Sequence, residues 1–387
     1  MVKILSVDDE LDLELLLTQY FRRKIRKGEY EFFFAHNGIE ALQKMLEHPD
    51  IDIVLSDINM PEMDGLTLLK KLNDRHNPAL KVIMVSAYGE MNNIRTAMNN
   101  GAFDFATKPI DLDDLSITIE KAIEQINYIK MSQQEHVQLE SLKTDLAVAA
   151  EIQQAILPRI FPPFPENDHE LDLAAQMMPA KDVGGDFYDF FRIDEDHIGI
   201  VMADVSGKGI PAAIFMAVSR TLIRTIGLQG YDPGECLTKS NELLSKESVD
   251  CMFVTVFYAI YNVKTGEMVY SNGGHNSPVI IKADGRVEML PTSTSCMVGA
   301  VPGITYPKET LTLGVGDTLF MYTDGVNEAM NEANEEYGDD RMMAFLGTQK
   351  GQGCRAIIAN QLADVKAFVG NAPQSDDITM LTLTRKA

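Results

Sequence analysis

The 387-residue sequence has only four cysteines, Cys236, Cys251, Cys296 and Cys354. None stands close to another, so neither a disulfide framework nor a cysteine zinc site is expected. Basic charge is also scarce: 34 Lys and Arg stand against 57 Asp and Glu, a net charge of −23. That balance excludes the basic footprint of a nucleic-acid binder, and no basic helix-turn-helix segment is found. No apolar run approaches the ~18 residues of a membrane span. The chain opens directly on the strand-like VKILSVDDE without a leader pattern. A cytoplasmic protein with no nucleic-acid and no membrane partner is expected. Glycine and proline are missing together over Leu112–Leu157, so a helix can run there nearly unbroken.

What is present is ordinary globular composition, 45% apolar and 24% charged, at a length suited to two or three domains. We expect boundaries at 1–125, 126–160 and 161–387. In the first region apolar runs alternate with helical periods: strands at Val2–Val7, Glu31–Ala35, Ile51–Ser56, Lys81–Ser86 and Phe103–Ala106, helices at Leu11–Lys27, Gly38–Glu47, Gly65–Arg75, Met91–Asn100 and Leu112–Ile129. This predicts an α/β, doubly wound parallel sheet. Ligands of such sheets sit beyond the carboxyl ends of the strands. Asp8 and Asp9, Asp57, Ser86 and Lys108 stand at those ends. Three converging carboxylates call for a cation, here Mg2+. Beside a metal and a lysine, one aspartate can attack phosphate and form an acyl phosphate.

The motifs VDDE, SDINMPEMDG, VSAY and AFDFATKP resemble the response-regulator receiver family, whose fold is flavodoxin-like. The resemblance implies Asp57 as phosphoacceptor, Asp8, Asp9, Asp57 and Asn59 at the magnesium, and Ser86, Phe105 and Lys108 as the switch residues. It also implies a cis peptide at Lys108–Pro109 and a histidine kinase or phosphotransfer protein as partner.

In the linker, Leu139, Leu142, Leu146, Ala149, Gln153 and Ile156 repeat at three-four spacing, a coiled-coil-like seam. A parallel homodimer is one reading; a helix packed on its own catalytic domain is the other. Gln153 would weaken the seam. Pro158, Pro162, Pro163 and Pro165 end the helix.

Beyond Pro165 strands dominate, at Leu171–Met177, Ile198–Ala203, Met252–Tyr261, Glu267–Ser271, Val279–Ile281, Thr318–Tyr322 and Ile378–Leu383. Helices are expected at Ile210–Ile226, Pro233–Ser245 and Arg355–Val369, and hairpin turns at KTGE and ADGR. The pattern predicts an α+β domain of antiparallel sheets flanked by helices. Its chemistry concentrates in KDVGGDFYDFFRIDEDHIGIVMADVSGKG, Lys181–Gly209. There Asp182, Asp186 and Asp189 precede one apolar strand and Asp204 follows it. Acids recur at Asp324, Asp376 and Asp377. Carboxylates at strand ends without Arg or Lys neighbours suit hard divalent cations, and two cations sharing a carboxylate suit phosphate-ester hydrolysis.

VGGDFYD, ADVSGKGIPAA, YTDGVNEA and SDDIT, in that order, resemble the PPM (protein phosphatase 2C-like) metal-dependent serine/threonine phosphatases of the sporulation branch, and AAEIQQAILP resembles the helix that precedes and controls that domain. The resemblance implies an antiparallel β-sandwich flanked by helices, with two Mn2+ or Mg2+ ions. Asp204 and the Val205 carbonyl, Asp324, Asp376 or Asp377, and Asp186 would hold them. Lys181 stands five residues before Asp186, where eukaryotic members place a phosphate-binding arginine; it reads either as a phosphate contact, as a point charge without the arginine fork, or, the reading favoured here, as a solvated turn lysine. His275 and Glu328 are weaker site candidates, each also readable as structural.

The resemblance implies a two-component response regulator with a protein phosphatase output, acting on a phosphorylated STAS-type anti-sigma-factor antagonist. The alternative is a non-catalytic adaptor that sequesters or delivers a sigma factor. An adaptor should have lost several of these carboxylates, and this chain keeps all of them.

Overall fold

A computed structural model describes residues 1–387 except 75–76, 88–90, 162, 248–250 and 294. Arg75, Tyr88 of VSAY and Pro162, which figure in the expectations above, lie outside the described residues. The chain divides into two compact units, Met1–Leu142 and Lys143–Ala387.

The first unit runs β1 (Val2–Val7), α1 (Leu11–Tyr20), α2 (Arg22–Arg26), β2 (Tyr30–Ala35), α3 (Gly38–Glu47), β3 (Ile53–Asp57), α4 (Gly65–Asn73), β4 (Lys81–Ala87), α5 (Met91–Asn99), β5 (Asp104–Lys108) and the start of α6 (Leu112–Ile156). The strands form one parallel sheet in the order β2-β1-β3-β4-β5. Both faces are covered, which is why β3 reads as an unbroken buried run. One face packs Leu5, Val54, Met84, Leu68 and Leu69. The other packs Ile4, Ile53, Ile83, Leu115 and Ile119.

One expected helix, Leu11–Lys27, is two. Phe21 leaves helical geometry at φ −85°, ψ 10° and buries its ring in the second core beside Tyr30. Burial of one aromatic outweighs one lost helical hydrogen bond. The Lys108–Pro109 peptide is cis.

Helix α6 continues past Ile129 without a break through Ile156, as the absence of glycine and proline over Leu112–Leu157 allows. Leu115, Ile119, Ala122 and Ile126 bury one stripe of it. Residues 131–145 are exposed. In its last turns Gln153 is buried again.

The second unit holds two antiparallel sheets. One is ordered β13 (Glu309–Thr312), β10 (Glu267–Gly273), β9 (Val254–Asn262), β8 (His197–Val205), β7 (Phe187–Arg192). The other is ordered β12 (Val287–Met289), β11 (Val279–Ile281), β14 (Thr318–Tyr322), β15 (Ile378–Arg385), β6 (Leu171–Met178). Phe187, Ile200, Met202 and Phe257 of the first share a core with Leu173, Leu319, Met321 and Leu381 of the second, so the sheets face each other as a sandwich. Helices α7 (Ile210–Gly227) and α8 (Pro233–Glu247) contribute Met216, Ile223 and Leu237 to that same core. After the short helix α9 (Asp324–Asn327), α10 (Asp339–Gly347) and α11 (Cys354–Val369) pack Met342, Leu346 and Ile358 on the outer face of the second sheet.

Strand β7 is absent from the expectations, which placed a single strand between Lys181 and Gly209. The sequence groups Asp189, in the middle of FYDFFR, with the acids that precede the Ile198–Ala203 strand. That carboxylate is buried at 1% exposure and is held by Arg220 Nε at 3.0 Å and Arg224 at 2.7 Å, both on α7. These arginines also interrupt Ile210–Gly227, among the described residues the one helix long and apolar enough, by length and composition, to cross a membrane. Its buried residues Ala212, Met216, Ile223 and Ile226 pack in the sandwich core.

Candidate active site

Antiparallel pairing puts the start of one strand beside the end of its neighbour. Asp186 immediately precedes β7 and Asp204 lies at the end of β8, and Phe187 pairs with Ala203. In the facing sheet Asp324 follows β14 and Asp376 precedes β15, with Tyr322 opposite Met380. The two edges belong to one sandwich, and the four carboxylates stand near enough for Asp186 to feel the charge of Asp204, and Asp204 that of Asp324 and Asp376. Asp186 is 1% exposed, and burial first, then the negative charge of Asp204, push its carboxyl well above the usual range. Asp204 is raised by burial and by Asp324. Asp324 is raised by burial and by Asp376. A donor set of crowded carboxylate oxygens fits Mg2+ or Mn2+, and a divalent cation would relieve the repulsion each group feels.

The walls of this cluster are built with little slack. A Cβ on Gly184 would stand 2.1 Å from Asp377 Oδ2, so only glycine fits there. Asp377 spends its oxygens on backbone: Oδ1 accepts from Ala180 N–H at 2.8 Å and Oδ2 from Gly185 N–H at 2.7 Å. It ties the GGD turn to β15, whereas the neighbouring Asp376 makes no such backbone contacts across the sandwich. Asp186 Oδ2 accepts from the hydroxyls of both Thr323 and Thr379 at 2.7 Å. Thr323 Oγ1 in turn accepts from Thr379 N–H at 3.0 Å. These threonines sit inside YTDG and SDDIT beside the acids, so their motif positions were a usable signal.

Gln153 of α6 reaches the same turn. Its Nε2 donates to Gly184 O at 2.5 Å and its Oε1 accepts from Gly184 N–H at 3.0 Å. It is therefore engaged within the second unit, a different role from the weak seam position expected of it.

Two other expectations change. The acids do have a basic neighbour: Lys208 Nζ lies 2.7 Å from Asp376 Oδ2. Asp182 is exposed and Asp189 faces Arg220 and Arg224, so neither joins Asp186. Lys181 is exposed. The Val205 carbonyl faces Gly185, 2.9 Å from where a Cβ would stand. His275 is buried, its Nδ1 2.9 Å from Thr255 Oγ1, on the residue that pairs with Asp204 in the sheet. Glu328 is exposed at the edge of the cluster.

In the first unit, carboxylate oxygens of Asp8, Asp9 and Asp57 lie within 4.8 Å of one another, a donor set that also fits Mg2+. Lys108 Nζ stands 2.9 Å from Asp8 Oδ2 and 2.7 Å from Asp57 Oδ2. Desolvation opposes its charge, but Asp57 and Asp8 hold its ammonium above the usual lysine range. Asn59 N–H donates to Asp57 Oδ1 at 3.3 Å. Ser86 is fully buried at the end of β4, and Phe105 on β5 is 36% exposed.

Residues 4–120 match the response regulator receiver domain, and residues 194–386 match stage II sporulation protein E. Protein IcfG of Synechocystis is 28% identical over 300 residues, covering 70% of this chain and 46% of that protein. Phosphoserine phosphatase RsbU of Bacillus subtilis is 29% identical over 278 residues, 71% of this chain and 81% of that protein. This chain thus spans about half the length of one of these relatives and most of the other. The SiaA-PP2C domain of Pseudomonas aeruginosa superposes with a TM-score of 0.56 at 22% identity, covering 64% of this chain and 98% of that domain, a likeness of fold. A parallel-sheet unit carrying the acid triad and a two-sheet unit carrying the acid cluster thus each match a family model: the first carries a response regulator receiver domain over residues 4–120, and the second matches stage II sporulation protein E over residues 194–386 on a PP2C-like fold.

Proposed function

We propose that the chain is a metal-dependent protein serine/threonine phosphatase controlled by phosphorylation of Asp57. The observation that carries this reading is the mutual crowding of Asp186, Asp204, Asp324 and Asp376 at the end of the sandwich, each of the first three raised by burial and by an acidic neighbour. Asp186, Asp204, Asp324, Asp376 and the Val205 carbonyl would hold two Mn2+ or Mg2+ ions, with Asp377 fixing the turn that carries Asp186. Such ions supply an activated water and neutralise charge on the phosphoryl group. Thr323 and Thr379 orient Asp186, and the buried walls keep the carboxylates from turning away. The net reaction joins a water oxygen to phosphorus as the serine or threonine oxygen leaves with a proton.

The substrate we assign is a phosphorylated STAS-type anti-sigma-factor antagonist, in keeping with the likeness to a phosphoserine phosphatase. A histidine kinase or phosphotransfer protein would load Asp57, with Mg2+ at Asp8, Asp9, Asp57 and Asn59. Ser86, Phe105 and Lys108 would respond. The change would pass along α6, whose Leu139 and Leu142 are 49% and 52% exposed, leaving a seam for a homodimer in the cytoplasm. The domains are then 1–125, 126–160 and 161–387.

The test is the manganese-dependent dephosphorylation of a phosphorylated STAS-type protein, with and without beryllofluoride as a mimic of phosphorylated Asp57. The reading expects a rate that Asp204→Ala abolishes and that beryllofluoride changes. No hydrolysis under any condition leaves the adaptor. A rate indifferent to beryllofluoride removes the control by Asp57.

A further inference from the structure

Lys208 is the one residue whose ammonium forms an ion pair with any of Asp186, Asp204, Asp324 and Asp376 among the described residues. Its Nζ lies 2.7 Å from Asp376 Oδ2 and donates to Ser375 O at 2.7 Å. It is held from a loop rather than a helix or strand. Gly207 and Gly209 flank it at φ 89° and 78°, backbone that L side chains rarely adopt. No atom comes within 4 Å of where a Cβ would stand on either, so the loop is set by its own turns and not by crowding. The lysine side chain is 43% exposed, and its long stem gives the ammonium several reachable positions. Lys181 is likewise exposed, but no hydrogen bond or ion pair to it is found among the described residues.

We propose that Lys208 is the mobile cation of this site. It pairs with Asp376 while that carboxylate lacks a metal, and it passes to the phosphoryl group of the substrate once a divalent cation takes Asp376 over. The proposal rests on the phosphatase reading above and gives the phosphate contact to Lys208 instead of Lys181. The physical argument is a partner exchange. A carboxylate bound to a divalent cation has little attraction left for an ammonium, and a phosphate dianion brought to the same edge offers a stronger acceptor. The same side chain therefore competes with the metal before loading and assists phosphate binding afterwards.

The experiment uses the full chain and reads binding rather than turnover, so a failure to hydrolyse substrate leaves it intact. Manganese binding is followed by the electron paramagnetic resonance of the free ion. Inorganic phosphate binding is followed by calorimetry at saturating manganese. The receiver acids contribute equally in every variant and cancel in the differences. Lys208→Met is expected to bind manganese about fivefold more tightly, the worth of one half-exposed ion pair. It is expected to bind phosphate about tenfold more weakly, as befits loss of a charge-assisted hydrogen bond. Lys208→Arg keeps the charge and should stay near the parent in both. Manganese affinity unchanged or weakened in Lys208→Met overturns the proposal, as does unchanged phosphate affinity. Loss of phosphate binding in Lys181→Met instead returns the role to Lys181.

Discussion

Gln153→Ala is the sharpest perturbation the structure offers, because one side chain closes both backbone polar groups of one residue, Gly184. Gln153 is 6% exposed. Its amide meets Gly184 O at 2.5 Å and Gly184 N–H at 3.0 Å. Truncation leaves a buried carbonyl and a buried N–H without partners, at about 1–3 kcal/mol each. The cavity of about 290 Å³ beside Gln153, lined also by Ala150, Leu157 and Tyr188, lets water recover part of that cost. A net loss of about 3 kcal/mol follows. For a unit of this size, that lowers the melting temperature by roughly 5–10 °C.

The loss is not confined to stability. Gly184 is followed by Gly185, whose N–H is held by Asp377, and then by Asp186. Freeing Gly184 leaves the turn before Asp186 held only at Gly185, so metal affinity and phosphatase rate should fall together. Thermal denaturation of the full chain, with and without manganese, reads the first effect in the transition that manganese shifts. Gln153→Glu keeps the acceptor for Gly184 N–H but sets a carboxylate against Gly184 O, and should be at least as damaging. If Gln153→Ala melts within 1–2 °C of the parent and keeps its rate, the contact holds nothing and the reasoning fails.

Replacing Thr323 and Thr379 by valine removes both hydroxyls from Asp186 Oδ2; we expect manganese affinity to drop about 10–100-fold with the fold kept, as read by metal titration and circular dichroism. Asp189→Asn breaks a buried ion pair with Arg220 and Arg224; denaturant unfolding should show about 3 kcal/mol of lost stability, the lower end for a buried pair because Arg224 is a third exposed. His275 predicts a pH dependence, since burial lowers its imidazole from 6.5 to about 4. The neutral ring is the folded form, so its contribution is complete above pH 6.5 and is lost as pH falls toward 4. At pH 5 the loss is about 2 kcal/mol. The urea midpoint of the parent should therefore fall more between pH 7 and pH 5 than that of His275→Phe; equal slopes would refute the assignment.

The four acids could be picked out from the sequence for a physical reason. Asp204 and Asp324 stand where a buried apolar run stops and Asp376 where one starts, Asp186 is marked by the glycine turn before it, and an unpaired carboxylate at a strand end has few structural uses. Antiparallel pairing then brings them together without any long-range information beyond the order of the strands. The same logic failed at FYDFFR. A strand with a buried acid in its middle is not recognised as buried unless the partners of the acid are known, and Arg220 and Arg224 lie some thirty residues away on a helix. Gln153 failed in the same direction. Heptad spacing shows which residues share a helix face, but it does not show what that face meets. A glutamine fits badly in a leucine seam and well against an open peptide group, and here the peptide is Gly184. Lys208 was hidden by a third kind of ignorance. Its neighbours Gly207 and Gly209 suggested only a tight turn, and the direction in which a turn throws its side chain depends on backbone signs that residue type alone does not specify. The legible features were therefore those carried by one strand and its ends. The illegible ones were polar side chains whose partners come from a separate element, and in this chain those side chains surround the acids.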